Sequence, residues 1–462
     1  MKSLIKFSSP QLKTLHNGKV RDSIRIDKKT RMIVVSDRIS AFNKNSQTPI
    51  PEKGAILNSI TNFWFEKTRH IIDNHFIKQI DPNISLVKEA NPIRVEMIVR
   101  AYLTGSMWRG YEQGQRVFSG VTVPDGLTKN EAFPTPILTP TTKDKYDTEI
   151  TEEEIIKRKL VSKKVYQKMK EKALELFQVG SDHLAEQGII LVDTKYEFGL
   201  LGKKLILIDE IHTPDSSRFW RAEDYEKNPV KAEQIDKEFV RQWLLKNKKN
   251  GQVPDQLPAK VVEETSRRYK DIYQLITGKE FEDTTLDTGV RNYHNVVNEG
   301  LIKPGFIAII MGSTSDLKHC EKIASYLKDY DVAVDFRVTS AHKNGERIED
   351  IATEYNNAIE PVVVIAVAGR SNGLGGALAA NLNIPVINCP PFSDKADLHI
   401  NVFSSIMMPS STPAMTVIHP DNAAKAALRA LNIPSIRAQL SEDIKAIKTK
   451  LIEDDNKLRN SL

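Results

Sequence analysis

Phe306-Ile-Ala-Ile-Ile-Met-Gly-Ser-Thr-Ser-Asp316 decides the fold of the last third of the chain. A run of β-formers stops abruptly at small and polar residues. Thr339-Ser-Ala-His-Lys343 and Ala366-Val-Ala-Gly-Arg-Ser-Asn-Gly373 repeat that arrangement. In an open parallel α/β sheet the ligand crevice forms just beyond strand ends of this kind. The pattern predicts strands at 306–311, 332–338, 362–367 and 384–388. Helices are expected at 316–328, 345–358 and 373–381. Such alternation means βαβ units on a parallel sheet. Residues 422–431 read as an Ala-rich helix, and 441–462 as a charged, amphipathic one suited to packing on a neighbour.

Upstream, the organisation differs. Arg31-Met-Ile-Val-Val35 is a short strand, and 92–100 alternates as a half-buried strand does. A helix is expected at 58–65. Residues 120–146 are rich in Pro and Thr and read as a long ordered loop. Thr151-Glu-Glu-Glu154 forms a capping box for one helix running toward Gly180. Gly188-Ile-Ile-Leu-Val-Asp193 and Lys204-Leu-Ile-Leu-Ile-Asp209 are strands, each ending in an acid. Helical sequence fills much of 231–278. The pattern weakens at 283–304, which predicts domains at 1–282 and 305–462 joined by a linker. The combined fold class is α+β followed by α/β.

A length of 462 residues is too great for one ordinary core. With 40% hydrophobic and 27% charged residues the composition is that of a soluble globular protein. A net charge of +6 suits anionic small substrates, and no long basic tract argues for nucleic acid. Two cysteines, Cys320 and Cys389, cannot build a disulfide framework. They read as buried free thiols, in keeping with a reducing cytoplasm. The first ten residues lack a signal-peptide core, and no run of about 18 apolar residues exists, so no membrane insertion is expected.

Several polar groups are candidates for chemistry. Gly18-Lys-Val-Arg-Asp22 offers Lys19 and Arg21 to a phosphate chain. Arg100 and Ser106 can jointly hold a phosphate, or Arg100 can simply pair with a carboxylate. Glu197, Asp209 and Glu210 place oxygen ligands near two strand ends, as magnesium on nucleotide phosphates requires. Asp215, Ser217 and Arg218 crowd a turn that could take a second polar substrate. In the last third, Gly312, Ser313, Ser315 and Asp316 form an anion site at a helix start, or a simple N-cap. The missing third glycine argues against a dinucleotide site. Ser340, His342 and Lys343 supply a proton carrier and a cation. Gly369, Arg370, Ser371 and Asn372 add a cation, a hydroxyl and an amide at the third strand end.

Taken together, Gly18–Asp22, Ser36-Asp-Arg-Ile-Ser-Ala-Phe42, Ile50-Pro-Glu-Lys-Gly54, Arg100-Ala-Tyr-Leu-Thr-Gly-Ser106, Asp193-Thr-Lys-Tyr-Glu-Phe-Gly199 and Thr213-Pro-Asp-Ser-Ser-Arg-Phe-Trp220 resemble the SAICAR synthetase family over about residues 10–280. The resemblance implies a two-lobed ATP-binding fold. It also implies ATP-driven ligation of carboxyaminoimidazole ribonucleotide (CAIR) to L-aspartate, giving the succinocarboxamide SAICAR. On that basis Lys19, Arg21, Asp209 and Glu210 belong to the ATP site, and Glu197 and Asp209 hold Mg2+. Arg100, Ser106 and Arg218 would hold the phosphate and carboxylate of CAIR, with Asp215 and Ser217 placing aspartate. Where the family continues with Asp after Phe42, this chain has Asn43: a lost carboxylate would weaken metal, nucleotide or substrate contacts near that turn, whereas a position that only caps the turn is served equally well by Asn.

The three strand-end segments, with Pro385-Val-Ile-Asn-Cys-Pro-Pro391, resemble the animal-type branch of the AIR carboxylase family over about residues 305–460. This implies a flavodoxin-like three-layer domain, assembly as a homo-octamer, and carboxylation of aminoimidazole ribonucleotide (AIR) by carbon dioxide without a cofactor. His342 is then the proton-transfer residue, and Lys343 with 369–372 holds the carboxyl group. Ser313, Ser315 and Asp316 take the phosphoribosyl part. Asn344-Gly345 and Gly375-Gly376 depart from the branch's usual Gly-Pro pairs, which alters loop stiffness more than chemistry. Two rival readings stay open: a chain with only its carboxylase half active, and a nucleotide-binding regulatory protein.

Overall fold

The computed structural model describes residues 3–41, 44–144, 146–232, 235, 238–282 and 287–461. Asn43 and Phe42 lie outside the described residues. The chain divides into two compact units, Met1–Lys6 with Thr14–Asn292, and Phe7–Lys13 with Tyr293–Leu462. Residues 283–304, expected as a linker, include a helix at Thr288–Asn298.

Among the described residues the first unit has two large sheets built on antiparallel pairing, besides two two-stranded ribbons. The smaller orders its strands Lys13–Asn17, Arg21–Arg25, Thr30–Val35, Ile84–Lys88 and Phe76–Asp81. Helix Lys53–Lys67 packs on it and buries Ile56, Leu57, Ile60, Trp64 and Phe65. The larger sheet centres on two long strands, Asn91–Tyr102 and Ile189–Leu201, paired along most of their length. Lys204–Ile208 and Ser217–Arg221 flank the second of these, while Ala132–Leu138 and Thr141–Thr142 flank the first.

Several sequence expectations change here. Residues 120–146 are not one loop but carry three short strands, of which Ala132–Leu138 adds to the sheet edge despite Pro134 and Pro136. An edge strand tolerates proline because its outer N–H groups need no ladder partner. The capping box of Thr151 and Glu154 forms, but it starts only a short helix, Glu152–Lys157. Ser162 caps a second helix, Lys163–Ala185. The strand expected to end at Asp193 runs on to Leu201, so Asp193 and Glu197 lie inside it.

The second unit carries a five-stranded parallel sheet ordered Ala333–Val338, Phe306–Met311, Val362–Val367, Val386–Asn388 and Met415–Thr416. Numbered along the chain this is 2-1-3-4-5, the flavodoxin-like order. Phe306–Met311 and Val362–Val367 are buried at every residue, because helices cover both faces of such a sheet. The last helix starts earlier than expected and runs from Pro434 to Asn460, burying only Ile436 and Leu440. Among the described residues no helix is long and apolar enough to cross a membrane.

Two histidines in the first unit are buried and uncharged. Burial, with Arg31 and Lys88 nearby, brings His75 down to about 4. Burial and then His183 bring His212 down to about 3. An unfolded histidine takes up its proton near pH 6.5, so each contributes stability above that pH and loses it as pH falls toward its folded value. Asp37 works oppositely, since burial raises its carboxyl to about 6 and the fold regains stability as pH drops through that value. The histidine effect must therefore be read as a difference. Between pH 6.5 and 4.5, acidification should destabilise the His75→Gln chain less than the parent, by roughly 1.4 kcal/mol per pH unit. All four tryptophans lie in the first unit, so urea denaturation followed by tryptophan fluorescence reads it directly. Equal acid sensitivity in both chains would contradict the assignment.

Candidate active sites

In the first unit the site follows from strand periodicity. Successive side chains point to opposite faces. Val95, Met97 and Val99 therefore enter the core with Tyr196 and Phe198, while Glu96, Ile98 and Arg100 share a face with Asp193, Lys195 and Glu197. Pairing sets Asp193 opposite Arg100 on one side and Arg218 on the other. Arg100 Nη1 lies 3.2 Å from Asp193, and Arg218 also donates to that carboxylate. Thr139 accepts from Arg100 Nε at 2.9 Å. These groups line a cleft of about 380 Å3 with Ser106, Ser217 and Asp215.

A second charge cluster sits at the adjoining strand end. Glu197 pairs in register with Ile208, immediately before Asp209. Lys195 bridges Glu96 at 2.8 Å and Glu197 at 2.5 Å, and Lys143 also contacts Glu197. Arg21 donates to Asp209 at 3.3 Å and Glu210 at 2.7 Å. Burial and the neighbouring Asp209 push the Glu197 carboxyl up. Burial opposes ionisation of Asp209, but Arg21, Lys195 and Lys143 outweigh it and hold that carboxyl low. Two acids this close, one ionised at the other's expense, fit a divalent cation, which would relieve their repulsion. No three of His, Cys, Asp or Glu form a metal cage among the described residues. Magnesium on a nucleotide needs only one or two carboxylates besides the phosphates.

Not every expected residue faces the cleft freely. Asp215 is held by buried Lys53 at 2.9 Å and by the Tyr269 hydroxyl at 3.3 Å. Ser217 shares a 2.7 Å hydrogen bond with Thr194. Lys19 is exposed in the turn after the first strand and does not line this cleft. Sequence reading missed Lys53, Lys143, Asp147, Glu149, Lys195 and Arg241, which distant segments bring in. For Glu96 and Lys195 the signal was present, as polar positions alternating with core residues.

In the second unit, the three quoted segments meet at the carboxyl ends of their parallel strands. Gly312, Ser313, Ser315, Asp316, Ser340, His342, Lys343 and residues 369–372 all line one cleft of about 930 Å3. Ser313 caps a single 3-10 turn, accepting from Ser315 N at 3.3 Å. Asn344 Oδ1 accepts from Ser340 N at 2.8 Å and ties down the turn that carries His342. His342 lies against Gly373, where an added Cβ would come within 2.7 Å of its ring. Asn372, expected to hold a carboxyl group, is otherwise engaged. Its Oδ1 accepts from Gly375 N at 3.3 Å and its Nδ2 donates to Ser405 Oγ at 2.7 Å. It is the N-cap of helix Gly373–Asn381.

The first unit thus has the two-lobed architecture and charge-lined cleft of an ATP-using ligase, and the second the strand-end crevice of a flavodoxin-like enzyme. The chain belongs to the SAICAR synthetase family, whose model matches residues 14–257, and the AIR carboxylase model matches residues 306–454. It is similar to the phosphoribosylaminoimidazole-succinocarboxamide synthase of Bacteroides thetaiotaomicron, with 42% identity over 64% of this chain and 99% of the relative. The enzyme of that name from Azobacteroides pseudotrichonymphae is 43% identical over 58% of this chain and 85% of its own. Among solved structures, SAICAR synthase from Saccharomyces cerevisiae, complexed with SAICAR, superposes with a TM-score of 0.55 at 34% identity. That match covers 61% of this chain and all of the yeast chain. A SAICAR synthetase domain and an AIR carboxylase domain therefore share one polypeptide, as a bifunctional enzyme of purine biosynthesis would have them.

Gly105 tests the first cleft. Its φ is +61°, and a Cβ there would fall 2.5–2.8 Å from the Arg218 guanidinium. Gly105→Ala combines backbone strain with displacement of that guanidinium. It is expected to weaken CAIR binding at least about 10-fold by isothermal titration calorimetry, the size of one lost charge-assisted contact. Unchanged affinity would remove Arg218 from the binding site.

Proposed function

We propose that the second unit adds carbon dioxide to AIR and that the first joins the resulting CAIR to L-aspartate at the expense of ATP. The observation that carries this reading is that residues remote in sequence converge: all the carboxylase candidates line one cleft of the second unit, and Arg100, Ser106, Asp215, Ser217 and Arg218 line one cleft of the first, where Lys195 joins them to the Glu197 cluster. In the carboxylation, the electron-rich ring carbon of AIR attacks carbon dioxide, a carbon–carbon bond forms, and the ring proton leaves. His342 takes that proton, helped by Ser340. Lys343, Arg370 and Ser371 hold the new carboxylate, while Gly312, Ser313, Ser315 and Asp316 hold the phosphoribosyl part. No cofactor is needed. The Lys343 and Arg370-Ser371 pattern supports direct use of carbon dioxide.

In the ligation, the CAIR carboxylate attacks the terminal phosphate of ATP, giving an acyl phosphate and ADP. The aspartate amine then displaces phosphate and loses a proton. Catalysis here is positioning and charge neutralisation. Arg100, Arg218 and Ser106 hold CAIR. Lys19, Arg21 and Glu210 belong to the ATP side, and Glu197 and Asp209 take Mg2+. Asp215, clamped by Lys53, places the loop that carries Ser217 near the aspartate.

Assembly as a homo-octamer through the carboxylase domain is part of the proposal. Ile400, Phe403 and Ile406 stand 53–60% exposed on one helix, and Ile447 and Leu451 are similarly bare on the last one. Such apolar faces suit burial against further copies; the number eight rests on the family resemblance. Two free buried thiols fit a reducing cytoplasm.

The test is incubation of the full chain with AIR, bicarbonate, L-aspartate, ATP and Mg2+, followed by mass spectrometry. SAICAR is expected. CAIR alone would confine activity to the second unit, and neither product would favour a binding protein. His342→Asn should cut carboxylation by 100-fold or more, in the range of a lost general base, while leaving ligation of supplied CAIR intact. Asp209→Asn should do the reverse. Both variants losing both activities would contradict the division of labour.

A further inference from the structure

We propose that Asn401 is the positioning residue for the carboxylation site, holding open the turn that receives the carbon dioxide side of the reaction. The inference rests on the carboxylase reading above. Asn401 sits on helix Lys395–Ile406, is 2% exposed and lines the cleft. Its Oδ1 accepts the Arg370 N–H at 2.5 Å, and its Nδ2 donates to the Pro391 carbonyl at 2.7 Å. One side chain thus bolts together two walls of the cleft. A donor on one side and an acceptor on the other fix which way the amide points.

Arg370 explains why such a bolt is needed. Its φ is +58°, left-handed backbone that a side-chain-bearing residue adopts only when surroundings impose it. The bond from Asn401 falls on the N–H of that strained residue. The glycine before it is equally specific. A Cβ on Gly369 would sit 3.3 Å from both polar atoms of the Asn401 amide, so the missing side chain admits the amide. One helical turn later, Ser405 Oγ accepts from Asn372 and donates to the Asn401 carbonyl, at 2.7 Å each. The helix therefore grips the 369–372 turn at both ends. Gly373, the next residue, supports His342. Relaxation of the turn would widen the carboxyl-holding wall and remove the surface against which the proton carrier rests. Ser313, Ser315 and Asp316 belong to another strand end, so the phosphoribosyl contacts should be spared.

The test uses the full chain, with carboxylation assayed from AIR and bicarbonate at varied concentrations of each. Asn401→Ala removes both hydrogen bonds. It is expected to raise KM for bicarbonate at least 10-fold while KM for AIR stays within twofold. Asn401→Asp, kept protonated by burial, accepts the Arg370 N–H with its carbonyl oxygen and donates its O–H to the Pro391 carbonyl, so its bicarbonate KM should stay within about threefold of the parent. If Asn401→Ala does not fold, Asn401→Ser, polar but too short to span both partners, carries the test with the same expected rise. A folded Ala or Ser variant with unchanged bicarbonate KM would overturn the proposal. So would loss of AIR affinity and of kcat in parallel, which marks general damage. An Asp variant as impaired as Ala would overturn the assignment to Arg370. If the parent chain itself forms no CAIR, the carboxylase reading fails and the inference falls with it.

Discussion

A charge taken out of water must find a partner, and the first unit is organised around that demand. Arg100, Asp193, Glu197 and Glu210 are all buried, and none could remain ionised alone at tolerable cost. The pairing register of the two long strands meets the demand without loops. It sets Asp193 between two arginines and Glu197 beside the strand that ends in Asp209. A slip of one residue would turn Arg100 and Asp193 into the apolar core and bring Val99 and Val192 to the cleft. Register, core and site are therefore one constraint.

That arrangement also explains why the ligase cleft is so crowded with ion pairs. Arg21, Lys143 and Lys195 all contact acids of the cluster. A nucleotide carrying a metal, as proposed above, would bring both negative phosphates and positive charge, and would exchange partners with this set without leaving any group buried and unpaired. The left-handed backbone at Asp209 and His212 brackets the turn between these acids and the Thr213–Arg218 segment. Strain of that kind persists only where neighbours over-determine the geometry. His212 is such a neighbour, fully buried with its ring on the Tyr196 hydroxyl at 2.6 Å and against Gly180.

Legibility differed between the units for physical reasons. Parallel strands covered on both faces are unbroken apolar runs, so their ends, and the residues beyond them, could be read directly. Ser313, His342 and Arg370 were found that way. Asn401 was not, because its relevance comes from a contact 31 residues away in sequence that no local pattern encodes. In the first unit the alternation at 92–100 was legible, but alternation alone cannot tell a polar face in water from one in a cleft. The prolines of 132–138 masked an edge strand. Asn372 and Asp215 had the right chemistry in the right segments, yet both have their side chains engaged by the fold.

The contrast between the two clefts follows from the two reactions. A carboxylate resists attack by an amine, so the ligase must assemble ATP with two further substrates, and its cleft is a lattice of opposed charges. The carbon of an aminoimidazole ring is already nucleophilic and carbon dioxide is already electrophilic. The carboxylase has less to activate and more to arrange. Its cleft accordingly relies on backbone at strand ends, a strained turn and amide side chains that hold loops, with His342 the proposed proton carrier on the turn after the second strand. Sharing one intermediate, the units solve opposite problems: in the first, charge must be balanced, and in the second, shape must be held.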